Sequence, residues 1–189
     1  MARAYGWRAD REDHGMPPVE HLGHKMVKAL PNKASLRASV LAGPGILDQL
    51  QIGGCVGNSA DGAVETRFSV LGTPIQHKSA MDVYDIARCI ERARDYPSGT
   101  LPKLQDVGSM PSDAWNGIAL YGMVPYADRP TDNATANDEP KLGSREDGAA
   151  YLLSGAYRIT ATASGLSLAV RTAIASGFPV QVCTDVDNA

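Results

Sequence analysis

Between positions 125 and 148 the chain reads PYADRPTDNATANDEPKLGSREDG, with almost no large apolar side chain. Such a run cannot build a buried face of its own, so it is expected to be a long surface loop or a linker. It separates two parts of different pattern. Before it, from Cys55 to about Phe68, apolar residues recur at Val56, Ala60, Ala63, Val64 and Phe68, a helical spacing. Gly57 and Gly62 work against that helix by about 1 kcal/mol each relative to alanine, and Asp61 is an unusual residue inside it. Residues 79–94 carry the clearest helical stripe, Val83, Ile86, Ala87 and Ile90. Ser79 stands where it can cap this helix, and Asp82 follows three residues on. Asp85, Arg88, Glu91 and Arg92 fall off the stripe and are expected to face water, and Arg88, Arg92 and Arg94 read as a solvated face. Pro111-Ser112 opens a third helix with Trp115, Ile118 and Ala119 inward and Gly122 as its stop.

After the polar run, Tyr157–Thr160 reads as a short strand. Residues 165–176 read as a helix with Leu166, Val170, Ala173 and Ile174 inward and Gly177 as its stop, and Pro179–Cys183 as a buried strand. The expected class is α+β, in four segments. Residues 1–34, polar and rich in Pro, His and Gly, are an extended arm. Residues 35–124 are a helical subdomain, 125–148 the loop or linker, and 149–189 the beginning of a β-containing subdomain.

Composition excludes several function classes. The formal net charge of −3 gives no electrostatic reason to expect nucleic-acid binding. No apolar run approaches the roughly 18 to 20 residues that span a bilayer. The first residues, MARAYGWRADREDHG, lack an apolar core, so no secretory signal peptide is expected and the setting is read as reducing and cytoplasmic. Cys55, Cys89 and Cys183 lie too far apart for a disulfide framework or a zinc cluster. Cys89 and Cys183 read as structural. The spacing of His14, His21 and His24 fits no ligand pattern, so neither a metal nor a cofactor is expected.

The segment that carries chemistry is Asp48-Gln49-Leu50-Gln51-Ile52-Gly53-Gly54-Cys55. A cysteine that opens a helix meets unpaired backbone N–H groups and the positive end of the helix dipole, both of which favour a thiolate. Gly53 and Gly54 let a substrate backbone come close. Gln49, six residues upstream, can fold back and aim its amide at an oxyanion forming beside the sulfur, with the Cys55 N–H as second donor.

This segment resembles the nucleophile motif of papain-like cysteine peptidases, and most of all their compact bacterial and phage branch. Further elements follow in the order that branch uses: Tyr5-Gly6-Trp7, Asp13-His14, Leu30-Pro31, Ser35-Leu36-Arg37, the helix at Ser79–Arg88, Asp106-Val107-Gly108-Ser109, Gly122–Tyr126 and Gly177–Val180. The resemblance implies a papain-like fold, a helical N-terminal half with the start of the β-barrel half. It implies Cys55 as nucleophile and Gln49 as oxyanion-hole donor. It implies a substrate groove bordered by Gly53, Gly54, Asp106, Gly108 and Ser109, a polypeptide substrate, and hydrolysis through a thioester. The chain departs from the family at Leu50, Gly54 and Val56.

The family sets its His and Asn about 130–150 residues after the Cys. Here no histidine follows His77, and Asn188 lies in a polar stretch. The expectation is that a missing C-terminal segment or a second chain supplies both, and that this chain alone is incomplete or inactive. The alternative is a catalytically decayed papain-like protein of a larger assembly such as a phage virion, which would make it virion-associated. A cell-wall amidase would also open a helix with Cys, but Gln49 favours the peptidase branch.

Overall fold

The computed structural model describes residues 16–18, 29–42, 45–74, 76–140, 156–159 and 163–182. The expectations placed on Tyr5–Trp7, His14, His21, His24, Cys183 and Asn188 lie outside the described residues. The named helices are α1 (Arg37–Ala42), α2 (Cys55–Val70), α3 (Ala80–Asp95), α4 (Pro111–Tyr121) and α5 (Ala163–Ala175), with a 3-10 turn at Asn133–Thr135. α2 packs on α1, α3 and α4, and α3 packs on α4.

The core follows from the spacing of apolar residues. Val56, Ala60 and Val64 of α2 meet Val83 and Ala87 of α3 and Ala114 and Ile118 of α4, closed off by Met123. Each large side chain buried in this way contributes about 1.5–3 kcal/mol. The small residues let the axes come close. A Cβ on Gly57 would stand 2.8 Å from the Tyr84 Cβ and would run into the Ala80 carbonyl, so α2 and α3 nearly touch there.

The Ser79 cap forms as the sequence indicates, its hydroxyl accepting the Asp82 N–H at 2.9 Å. α5 ends where Gly177 turns left-handed at φ +79°, with Phe178 N–H on the Ala173 carbonyl and Gly177 N–H on the Ile174 carbonyl. Arg67 of α2 holds that end, donating to the Gly177 carbonyl at 2.7 Å and lying 4.2 Å over the Phe178 ring.

Other expectations are corrected. Asp85, Arg88 and Glu91 do not face water; all three are buried. The reason is tertiary, because residues 125–140 lie across the outer face of α3. Asp85 pairs with Arg88 and with Arg129. Arg88 also donates to the Gln105 and Ala136 carbonyls, and Arg92 pairs with Glu139. Arg94 forks onto Asp113 at 2.8 and 2.9 Å, so the three arginines are ion-paired rather than a free solvated face. On α4 the buried residues are Ser112, Asp113, Ala114, Gly117 and Ile118, and Ala119 is exposed. On α5, Ala173 is buried but Leu166 is 45 % exposed. Residues 157–159 hold only a single parallel bridge, Arg158 to Pro18, and residues 179–182 form no strand, with Val182 65 % exposed. No helix of the described residues is long and apolar enough to cross a membrane.

Two glycines of α2 test this packing in opposite directions. Gly57→Ala should destabilise the chain by about 1–3 kcal/mol despite alanine's helix preference, because the new methyl meets backbone. At Gly62 the nearest heavy atom to a new Cβ is Leu47 Cδ1 at 3.9 Å. Gly62→Ala should therefore stabilise by about 0.5–1 kcal/mol. Urea unfolding of both variants measures the difference.

Candidate active site

The turn before α2 is built by short-range bonds. The Asp48 carboxylate accepts the Leu50 N–H at 2.8 Å. Leu50 then sits at φ +56°, a left-handed conformation that costs a side-chain-bearing residue about 1–2 kcal/mol. The departure at Leu50 thus keeps the turn, under strain. The chain folds back so that the Ile52 N–H donates to the Gln49 carbonyl and the Gln49 amide donates to the Ile52 carbonyl at 3.0 Å. Gln49 is half-buried over the turn it closes.

Cys55 is the first residue of α2, half-buried and packed against the main core, with its sulfur outside any disulfide. The cap residue is Gly54, and no side chain caps the first turn. The first N–H groups of a helix have no partner within the helix itself. A Cβ on Gly54 would be at ordinary contact distance, 3.5 Å from both Asn58 Nδ2 and Tyr84 Cδ1, so a serine there would also fit.

Gly53 and the 106–109 loop come together. The Gly53 N–H donates to both oxygens of Asp106, at 2.9 and 3.2 Å. Gly108 and Ser109 are buried, and the Ser109 hydroxyl meets no partner among the described residues. Val107 is the exposed residue of that loop.

Sequence reasoning missed two residues here. Tyr84, from the apolar side of α3, donates to Asp106 at 2.8 Å and accepts the Gly108 N–H at 2.9 Å. Gln181 donates to the Val56 carbonyl and the Ser59 hydroxyl and accepts the Trp115 indole N–H, tying the segment after α5 to the first turn of α2. The indole of a half-buried Trp115, which has to find an acceptor, was the one available signal for Gln181.

His77 is the histidine among the described residues. Its Nδ1 lies 3.3 Å from Glu65, and its ring packs on Tyr126 at 4.9 Å between centroids. Glu65 is ten residues along α2 from Cys55, about 15 Å at the helical rise, so His77 does not reach the sulfur. The same Glu65 oxygen accepts the Lys78 N–H at 2.6 Å. Asp61, one turn before Glu65 and fully buried, faces it. No donor among the described residues reaches either Asp61 oxygen. Burial, then the neighbouring Glu65, pushes Asp61 from its ordinary 3.8 up to about 8. Among the described residues no group of side chains could hold a metal ion.

Cys55 thus opens α2 after the turn that Gln49 closes, over the core of α2, α3 and α4. No family model and no curated protein matches the chain, but solved structures do. One is xylellain, a cysteine protease from Xylella fastidiosa, matched over 92 % of this chain at a TM-score of 0.62 and 20 % identity. Another is the digestive procathepsin L 3 of Tenebrio molitor larval midgut, matched over 90 % of this chain at 0.60 and 19 %. The fold is papain-like, and the described residues correspond to its helical N-terminal half. The chain spans 62 % of the length of xylellain and 48 % of that of the procathepsin.

The Asp61 proton predicts a pH dependence. The native state keeps that proton while the unfolded chain loses it near pH 4. Stability should therefore be highest below about pH 4 with respect to this group, and fall as pH rises toward 8. Asp61→Asn should flatten that slope. Its melting temperature relative to the parent should be higher at pH 7.5 than at pH 4.5, and an equal difference at both would contradict the assignment.

Proposed function

We propose that this chain carries the nucleophile half of a papain-like cysteine peptidase. The observation that carries the reading is the position of Cys55 as first residue of α2, on an uncapped terminus, in a papain-like fold. The Cys55 sulfur attacks the scissile carbonyl carbon, a C–S bond forms, and the negative charge moves to the carbonyl oxygen. Two donors serve that oxyanion: the Cys55 N–H and the Gln49 amide. The Gln49 NH2 has two hydrogens and gives one to the Ile52 carbonyl, which leaves the other for the oxyanion. The C–N bond then breaks and the amine leaves as the protonated product, and water releases the acid from the thioester.

The one histidine of the described residues, His77, does not reach Cys55, and in this reading a continuation of the chain or a second chain supplies the group that takes the thiol proton and returns it to the amine. His77 is committed to Glu65. Alone, the chain is therefore a weak or silent enzyme that retains a ligand-competent cysteine. The same observation favours a second reading, a decayed papain-like scaffold within a larger assembly such as a virion.

The two readings part on covalent labelling. A peptidyl epoxide should modify Cys55 in the peptidase, and Cys55→Ala should abolish the adduct. Gln49→Ala should leave that labelling in place but slow acylation of Cys55 by a peptidyl p-nitrophenyl ester by about 10²–10³-fold if its amide is an oxyanion donor. Mass spectrometry of the intact protein reads both. A parent chain that stays unmodified would leave the scaffold reading.

A further inference from the structure

Tyr84 and Asp106 make a chain of hydrogen bonds between two segments that belong to different connections. The Gly53 N–H donates to the Asp106 carboxylate at 2.9 Å, the Tyr84 hydroxyl donates to the same carboxylate at 2.8 Å, and the Gly108 N–H donates to the Tyr84 oxygen at 2.9 Å. One hydroxyl therefore holds the 106–109 loop at two points, and one of them, the Asp106 carboxylate, also holds the nucleophile turn at Gly53. The ring that carries the hydroxyl is fully buried. It lies under Gly54 and Gly57, against the first turn of α2. Arg88 lies 4.0 Å over its other side and donates to the carbonyl of Gln105, the residue before Asp106, at 2.8 Å. The loop is thus held at Gln105, Asp106 and Gly108 by α3, and it in turn holds Gly53. Burial also raises the Tyr84 phenol well above its ordinary value, so it stays a neutral donor.

A buried tyrosine hydroxyl always needs a partner, and one bond would satisfy it. Here both of its bonds go to the 106–109 loop, and the Asp106 carboxylate that it holds carries the link on to Gly53. Because the Gly53 N–H is spent on Asp106, it is not an oxyanion donor. What the network fixes is the distance between the Cys55 turn and the 106–109 loop, whose exposed residue is Val107.

We propose that Tyr84 and Asp106 are positioning residues that lock the nucleophile turn and the 106–109 loop into one unit, and thereby set affinity for an extended peptide rather than the reactivity of the sulfur. The affinity clause rests on the peptidase reading; the locking does not.

The experiment uses the full chain and the variants Tyr84→Phe, Asp106→Asn and Asp106→Ala. Tyr84→Phe keeps the ring, and Asp106→Asn keeps an acceptor for Gly53. Amide hydrogen exchange is followed by NMR at Gly53 and Gly108. Tyr84→Phe should speed exchange at both by about tenfold while amides inside α3 keep their protection. Asp106→Ala should do the same at Gly53, and Asp106→Asn should rescue it. If Tyr84→Phe speeds Gly108 alone, the hydroxyl is a local partner and the lock is refuted. With a peptidyl epoxide, Tyr84→Phe should raise KI about tenfold and leave the inactivation rate constant within about twofold. A loss in the rate constant at unchanged KI would overturn the affinity role. A parent chain that does not react refutes the peptidase reading, and the affinity role with it, while the exchange data still decide the lock.

Discussion

Everything around Cys55 depends on how closely α2 approaches α3. Gly57 faces the Ala80 carbonyl and the Tyr84 backbone with no room for a methyl group. That contact sets the first turn of α2 directly on Tyr84, and through Tyr84 within hydrogen-bond reach of Asp106, Gly53 and Gly108. A wider spacing would leave the core intact in kind, since Val56, Ala60 and Val64 would still find apolar neighbours. It would separate the turn from the loop.

Charge organises the other side of the molecule. α3 carries Asp85, Arg88 and Glu91 into a buried layer, and residues 125–140 complete it with Arg129, the Ala136 carbonyl and Glu139. The Ser79 hydroxyl both caps α3 and bonds the Arg129 carbonyl. Buried ion pairs add little net stability, but breaking one strands a charge at a cost of about 3–5 kcal/mol. Their effect is therefore to specify one path for a polar segment that has no apolar face to choose it. Ala136, which joins Ile52, Met81 and Tyr84 in a small second cluster, is that segment's apolar anchor.

This explains which features were legible in the sequence. Ser79 and Gly177 were readable because caps and stops are local: the bonds they make lie within a few residues. The helix at Cys55 and its papain-like context were readable from the Gln–Gly–Gly–Cys order. The partners of Arg88 and Arg92 were not, because helical period reports only that a face is polar, and the covering loop comes from 40 or more residues away. Ala119 and Ala114 lie about 140° apart around the helix, and alanine gives too weak an apolar signal to choose between them. Tyr84 was hidden for the opposite reason. Its ring fits an apolar stripe, and nothing in one dimension says that its hydroxyl ties Asp106 to Gly108. Asp61 did stand out as an acid inside a central helix, but its partner Glu65 was not singled out. The strands expected at 157–160 and 179–183 rested on short apolar runs, and a strand needs a neighbouring strand that the described residues do not provide.

The central claim is that the opening of α2 makes Cys55 the reactive thiol of this chain. Cys89 is the internal control: it lies mid-helix on α3, and burial pushes its thiol above the ordinary range. Limiting iodoacetamide at neutral pH, followed by peptide mapping, compares the two in one sample. The account predicts alkylation of Cys55 about tenfold or more ahead of Cys89 in the folded chain, and equal rates in urea. Equal rates in the folded chain, or Cys89 first, would contradict it.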